Sequence, residues 1–100
     1  MRRTNVVNHE RMYFVYLLQS VKDKSWYIGY TPIGALKRLE KHNHGMVQST
    51  KAKIPWRLLY YEAYSDRRDA TGREKFLKSG SGRIYLKKQL KYSLGLAASG

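Results

Sequence analysis

The sequence predicts an α+β fold: a small three-stranded antiparallel sheet flanked by helices, in the order β-β-α-β-α-α. Three observations carry that expectation. Two runs rich in aromatic and branched residues, MYFVYLLQS (12–20) and SWYIGY (25–30), are separated by only four residues. A third such run, WRLLYYEAY, occupies 56–64. Capping residues and apolar repeats at helical spacing follow the second and third runs.

Residues 1–11 are polar and unpatterned and read as a frayed arm. The first two strands form a hairpin. If Val21 to Lys24 make its loop, Ser20 pairs with Ser25 and Leu18 faces Tyr27. Tyr16 and Tyr27 then point to the same side of the sheet, with Gly29 beside them. Thr31-Pro32 suits a helix start, because Thr can cap and Pro fits the first helical position. That helix is expected from about Ile33 to Asn43, with Ile33, Leu36 and Leu39 as its stripe and Gly45 ending it. Arg38 and His42, four apart, share a face of it. Residues 46–55, MVQSTKAKIP, read as a mobile loop before the third strand. Ser65 or Asp66 caps a second helix running to about Ser79, with Asp69 near its start. The SGSG stretch at 79–82 breaks it, and a third helix follows over 83–94. The expected division is an arm at 1–11, a domain at 12–92 and a tail at 93–100.

One hundred residues suit a single modest core. The chain lacks cysteine, which rules out disulfides and thiolate metal sites. No apolar run approaches the ~20 residues of a membrane span, and no apolar stretch follows the N-terminal arginines. A cytoplasmic location and no membrane partner are therefore expected. The charge is more informative: 20 Lys and Arg against 7 Asp and Glu. Such an excess costs self-repulsion and suits a polyanion. Basic residues interleaved with nine Tyr, two Trp and two Phe point to nucleic acid, DNA or RNA.

Five positions stand out chemically. Tyr16 and Tyr27 lie on adjacent strands, where aromatics are also ordinary sheet residues. Gly29 weakens a strand and so marks a close approach of ligand or backbone. Arg38 returns over the strand ends and could match two phosphate oxygens with two donors, although a helical arginine is commonly just solvated. Glu74 shares a helix stripe with Ala70 and Leu77, and it is also placed to pair with Lys78 at a spacing of four. One carboxylate can hold Mg²⁺, since that ion keeps waters and takes further oxygens from phosphate. His42-Asn43-His44 spells HNH, but a contiguous tripeptide is not the dispersed arrangement of HNH nucleases. With His9 these histidines also lack zinc-ligand spacing.

Taken in order, VYLLQS with Tyr16, YIG at 27–29, LKRLEKHNHG with Arg38 and His42, STKAKIPWRLLYYEAY, and REKFLKSGSGR with Glu74 resemble the GIY-YIG nuclease superfamily. The likeness covers roughly residues 12–90 and is to its stand-alone single-domain bacterial members, with the N-terminal nuclease domain of the DNA-excision-repair enzymes as a further relative. Phe14 stands where the first half-motif has glycine, and Tyr30 where repair relatives carry lysine. The asparagine some members place beyond the glutamate has no counterpart here.

The resemblance implies a DNA endonuclease that is selective for structure rather than sequence and dependent on Mg²⁺ or Mn²⁺. It assigns the metal to Glu74, transition-state charge to Arg38, water activation to Tyr16 or Tyr27, and an accessory proton or positioning role to His42. Gly29, Tyr30, Lys51, Lys53, Arg57, Arg73, Lys78, Arg83, Lys87 and Lys88 are the expected nucleic-acid contacts, with Arg67, Arg68 and Lys75 as further cations. Phosphate contacts of this sort position the backbone and carry little sequence information. Two other readings stand beside it. One is a non-catalytic module binding DNA or RNA; the other is a protein whose specificity comes from a protein partner.

Overall fold

The computed structural model describes residues 11–95. Its strands and helices are β1 (Tyr13–Ser20), β2 (Trp26–Thr31), α1 (Ala35–Asn43), β3 (Trp56–Tyr64), α2 (Arg67–Lys78) and α3 (Gly80–Gln89). The sheet order is β2-β1-β3, with β1 antiparallel to both neighbours. The fold is the expected α+β arrangement.

β1 is apolar almost throughout because it is covered on both faces. Val15 and Leu17 point one way, joining Ile28, Ala70 and Leu77 of α2, Leu86 of α3 and Leu90 in a first core. Tyr16 and Leu18 point the other way, joining Ala35 of α1 and Trp56 in a second, with Tyr27, Leu39, Ile54 and Leu58 around it. Each fully buried leucine contributes roughly 1.5–3 kcal/mol, so the stability of this small chain is divided between two layers. The β1–β3 pairing slips once, Tyr60 facing Leu17 and Leu58 facing Leu18. The extra residue, Leu59, packs into the first core.

The hairpin forms as its spacing predicts. Leu18 faces Tyr27, and the Ser20 amide donates to Ser25 at 2.9 Å. Tyr16 pairs directly with Gly29.

Three expectations are corrected. Thr31 is not the cap of α1: it extends β2 opposite Phe14, and its hydroxyl accepts from the Ile33 amide at 3.1 Å. With that oxygen committed to a turn, α1 starts at Ala35, behind an extended Gly34 that offers no side-chain cap. The stretch expected as a mobile loop contains a 3-10 helix, Gln48–Lys53, whose Thr50 is 1% exposed. The SGSG segment does not delay α3. The Ser79 hydroxyl accepts from the Gly82 amide at 3.1 Å, so α3 begins at Gly80 directly after α2. A Cβ at Gly82 would overlap the Phe76 carbonyl and Leu77, so only glycine permits so tight a corner.

Gly45 ends α1 with φ +72°, as expected of a glycine past a helix C-terminus. Asp66 caps α2 by accepting from the Arg68 amide at 2.8 Å. The arm, apart from Arg11, and residues 96–100 of the tail lie outside the described residues. Leu94, expected in the tail, packs against the first core. Among the described residues no helix is long and apolar enough to cross a membrane.

Candidate active site

The site grows from the second core, where polar groups replace part of the apolar packing. Tyr16, 1% exposed, lies across Gly29 on the neighbouring strand. A Cβ at Gly29 would overlap the Tyr16 hydroxyl and the Tyr27 ring. The glycine is thus what admits the phenol. The rings of Tyr16 and Tyr27 are 6.2 Å apart, and His42 of α1 stands edge-on to both, 5.7 Å and 5.1 Å away.

His42 is fully buried and hydrogen-bonded on both nitrogens. Its Nε2 lies 2.8 Å from the Tyr16 hydroxyl and its Nδ1 2.7 Å from the Thr50 hydroxyl. Thr50 is itself held, because its carbonyl accepts from the Trp56 indole at 3.0 Å.

Two charged side chains act on this cluster. Burial pushes the Tyr16 phenol up to about 12, against a hydrogen bond from Arg38, while the nearby Tyr27 and Glu74 push the same way as burial. Burial and the Arg38 charge bring His42 down to about 4, leaving a neutral imidazole at pH 7. Tyr27 of β2, Arg38 of α1 and Glu74 of α2 are therefore near enough to act on Tyr16 of β1, and Arg38 also acts on His42. The Arg38 Nε is buried with no hydrogen-bond partner, a donor left over by the fold. Among the described residues Glu74 has one ion pair, Oε2 to the half-exposed Lys78 at 2.9 Å, which is also the pair its spacing allows.

The donor set bears on the metal the resemblance implies. Among the described residues no three His, Cys, Asp or Glu side chains are grouped to hold an ion. The described residues therefore form no closed protein cage. A single carboxylate that keeps one oxygen outside its ion pair fits a hydrated Mg²⁺ or Mn²⁺ completed by substrate oxygens, and does not fit zinc.

The model of the GIY-YIG catalytic domain matches residues 12–89. This chain belongs to the GIY-YIG family. The family suggests a nuclease: GIY-YIG nucleases generally use divalent metal ions, and the fold suggests a nucleic-acid substrate. Similar single-domain proteins include the UPF0213 protein CPE1444 of Clostridium perfringens, 37% identical over 67% of this chain and 71% of that protein. The UPF0213 protein YazA of Bacillus subtilis is also 37% identical, over 66% of each chain. The solution structure of the UPF0213 protein BH0048 from Bacillus halodurans is 31% identical, with a TM-score of 0.48, covering 78% of this chain and 84% of that one. None of these names specifies a reaction.

Within this GIY-YIG domain the expected contact residues are distributed unevenly. Lys51, Lys87 and Lys88 are exposed, as are Arg67 and Lys75. Lys53 pairs with Asp23 at 3.5 Å, Arg57 bonds Gln19 at 3.3 Å, and Arg68 pairs with Asp66 at 2.9 Å. Arg83 lies over the Trp26 ring, 5.1 Å from its centroid. On the side of the sheet covered by α2 and α3, two of the expected contacts are committed to the fold. Tyr30 packs against the first core, and Arg73 forks onto Glu62 through bonds of 2.9 Å and 3.0 Å.

Sequence reasoning missed Thr50, Asn43 and Glu62. Asn43 exchanges two hydrogen bonds with the Trp56 backbone, at 2.7 Å and 2.9 Å, and so ties the end of α1 to the start of β3. The HNH letters thus have separate uses: His42 belongs to the site, Asn43 joins elements and His44 caps α1. Glu62 accepts from the Tyr60 and Tyr64 hydroxyls as well as from Arg73. Its one visible sign was an acid within an otherwise aromatic and aliphatic strand.

Proposed function

We propose that this chain is a divalent-metal-dependent endonuclease that hydrolyses DNA phosphodiester bonds at the Tyr16–His42 pair. The observation that carries the reading is the 2.8 Å bond from the Tyr16 hydroxyl to a neutral His42, beside an arginine with an unused buried donor. A phenol raised to about 12 is a poor base by itself at neutral pH. Coupled to an imidazole it can pass a proton on.

In the step we infer, water attacks phosphorus while its proton moves to the Tyr16 oxygen and the Tyr16 proton moves to His42 Nε2. The phosphorus bond to the leaving oxygen breaks, that oxygen takes a proton from solvent, and His42 later returns its own proton to solvent. Arg38 offers its donor to the non-bridging oxygens as their charge grows. Tyr27 packs against His42 and orients the water. A divalent ion held by Glu74 would polarise a non-bridging oxygen and stabilise the leaving one. The exposed lysines hold the strand by its phosphates, and because such contacts carry little sequence information the choice of substrate is by DNA shape.

The test is cleavage of branched, nicked, single-stranded and duplex DNA, and of RNA, in Mg²⁺ or Mn²⁺. Wild type should cut at least one of these. Glu74→Ala should lower kcat/KM by roughly 10³-fold or more while retaining binding. Equal inactivity of both proteins on every substrate, with binding intact, would favour the non-catalytic module.

A further inference from the structure

The second core holds one polar line that apolar packing does not account for. It runs from the Tyr16 hydroxyl, through both nitrogens of His42, to the Thr50 hydroxyl and the Val47 carbonyl. Tyr16, His42 and Thr50 are each 1% exposed or less, so every proton along the line needs a protein partner. The two ends set its direction. Among the described residues the hydrogen-bond partner of the buried Tyr16 hydroxyl is His42 Nε2, so its proton goes there. A carbonyl only accepts, so the Thr50 hydroxyl donates to Val47 at 3.3 Å and must accept from His42 Nδ1. The reverse direction would strand the Tyr16 proton and lose the Val47 bond.

We propose that Thr50 is a positioning residue whose hydroxyl fixes His42 as the Nδ1–H tautomer, keeping Nε2 as the acceptor of the Tyr16 proton. Which nitrogen of an imidazole carries the proton is set by the bond its other nitrogen makes. The 3-10 helix supplies that bond, and the Trp56 indole on the Thr50 carbonyl holds it in place. The segment that reads as a loop is therefore part of the proton relay. The effect on cleavage rests on the nuclease reading above; the tautomer does not.

Long-range ¹H–¹⁵N spectra of the ¹⁵N-histidine-labelled full chain read the tautomer directly. Wild type should show His42 protonated at Nδ1. Thr50→Val, which keeps the shape and removes the hydroxyl, should move the proton to Nε2, whereas Thr50→Ser should not. Where a carboxylate holds a catalytic imidazole, enforcing the wrong tautomer costs about 10⁴ in kcat. A neutral hydroxyl orients less strongly, so Thr50→Val should lose roughly 10–100-fold in kcat with KM little changed, and Thr50→Ser should recover most of it. Wild-type His42 protonated at Nε2 overturns the proposal without recourse to any variant, as does a Thr50→Val protein with unchanged tautomer and kcat. A wild type that shows the Nδ1–H tautomer yet cuts no nucleic acid overturns the nuclease reading and leaves the tautomer assignment standing.

Discussion

The two faces of the sheet carry the same kinds of side chain and use them oppositely. On the α2–α3 face, Glu62 is gripped by both branches of Arg73 and by the hydroxyls of Tyr60 and Tyr64, and Arg73 also lies over the Phe76 and Tyr85 rings. Burial pushes the Glu62 carboxyl up, but Arg73 and the two phenols hold it below its usual range. That cluster is closed on itself. On the α1 face a tyrosine pair and an arginine recur, with Glu74 brought near them from α2, but Arg38 keeps a buried donor unused and, among the described residues, Glu74 pairs with the half-exposed Lys78. A carboxylate, an arginine and phenols hold a fold together when they satisfy one another. They can meet a substrate when the fold leaves capacity over.

If the contrast is right, the two glutamates should fail in different assays. Glu62→Ala should lose about 2–4 kcal/mol of stability in urea unfolding, because it leaves Arg73 and two phenols uncompensated. Its cleavage per folded molecule should change little. Glu74→Ala, which removes only a rim ion pair, should stay within about 0.5 kcal/mol of wild type. Comparable stability losses in the two variants would erase the distinction.

Acid should separate the faces as well, with a slightly smaller effect. His42 falls from 6.5 when unfolded to about 4 when folded, so below pH 6.5 the unfolded chain binds the extra proton. Its contribution is complete above pH 6.5 and drains away as pH falls toward 4, a loss of about 2–3 kcal/mol. Glu62 is depressed from 4.5, so its contribution persists at pH 5 and is lost only as pH drops through its folded pKa. Denaturant midpoints at pH 7, 5.5 and 4 should therefore decline first through the α1 face. A stability flat from pH 7 to 5 would contradict the buried neutral histidine.

The sequence was most legible where period and turn length decide the outcome. The four-residue hairpin loop alone put Tyr16 and Tyr27 on one face, and Gly29 was conspicuous because glycine is costly in a strand. Arg38, His42 and Glu74 followed from helical spacing joined to the family resemblance. What stayed hidden depends on contacts between distant segments. QSTKAK has no apolar repeat, so nothing local distinguishes Thr50, bonded to a histidine eight residues earlier, from a solvated threonine. Arg73 looked like a phosphate contact because its acid lies eleven residues away on another element. The start of α1 was misjudged because Thr31 can cap a helix or end a strand, and the pairing with Phe14 decided for the strand.

The most direct test is to locate Mn²⁺ by paramagnetic broadening in NMR spectra of the chain bound to an uncleavable phosphorothioate oligonucleotide. Signals of Glu74, Tyr16 and Tyr27 should broaden first, while those of Glu62, Tyr60 and Tyr64 stay sharp. Broadening centred on Glu62, or none localised to either glutamate, would contradict an open site on the α1 face.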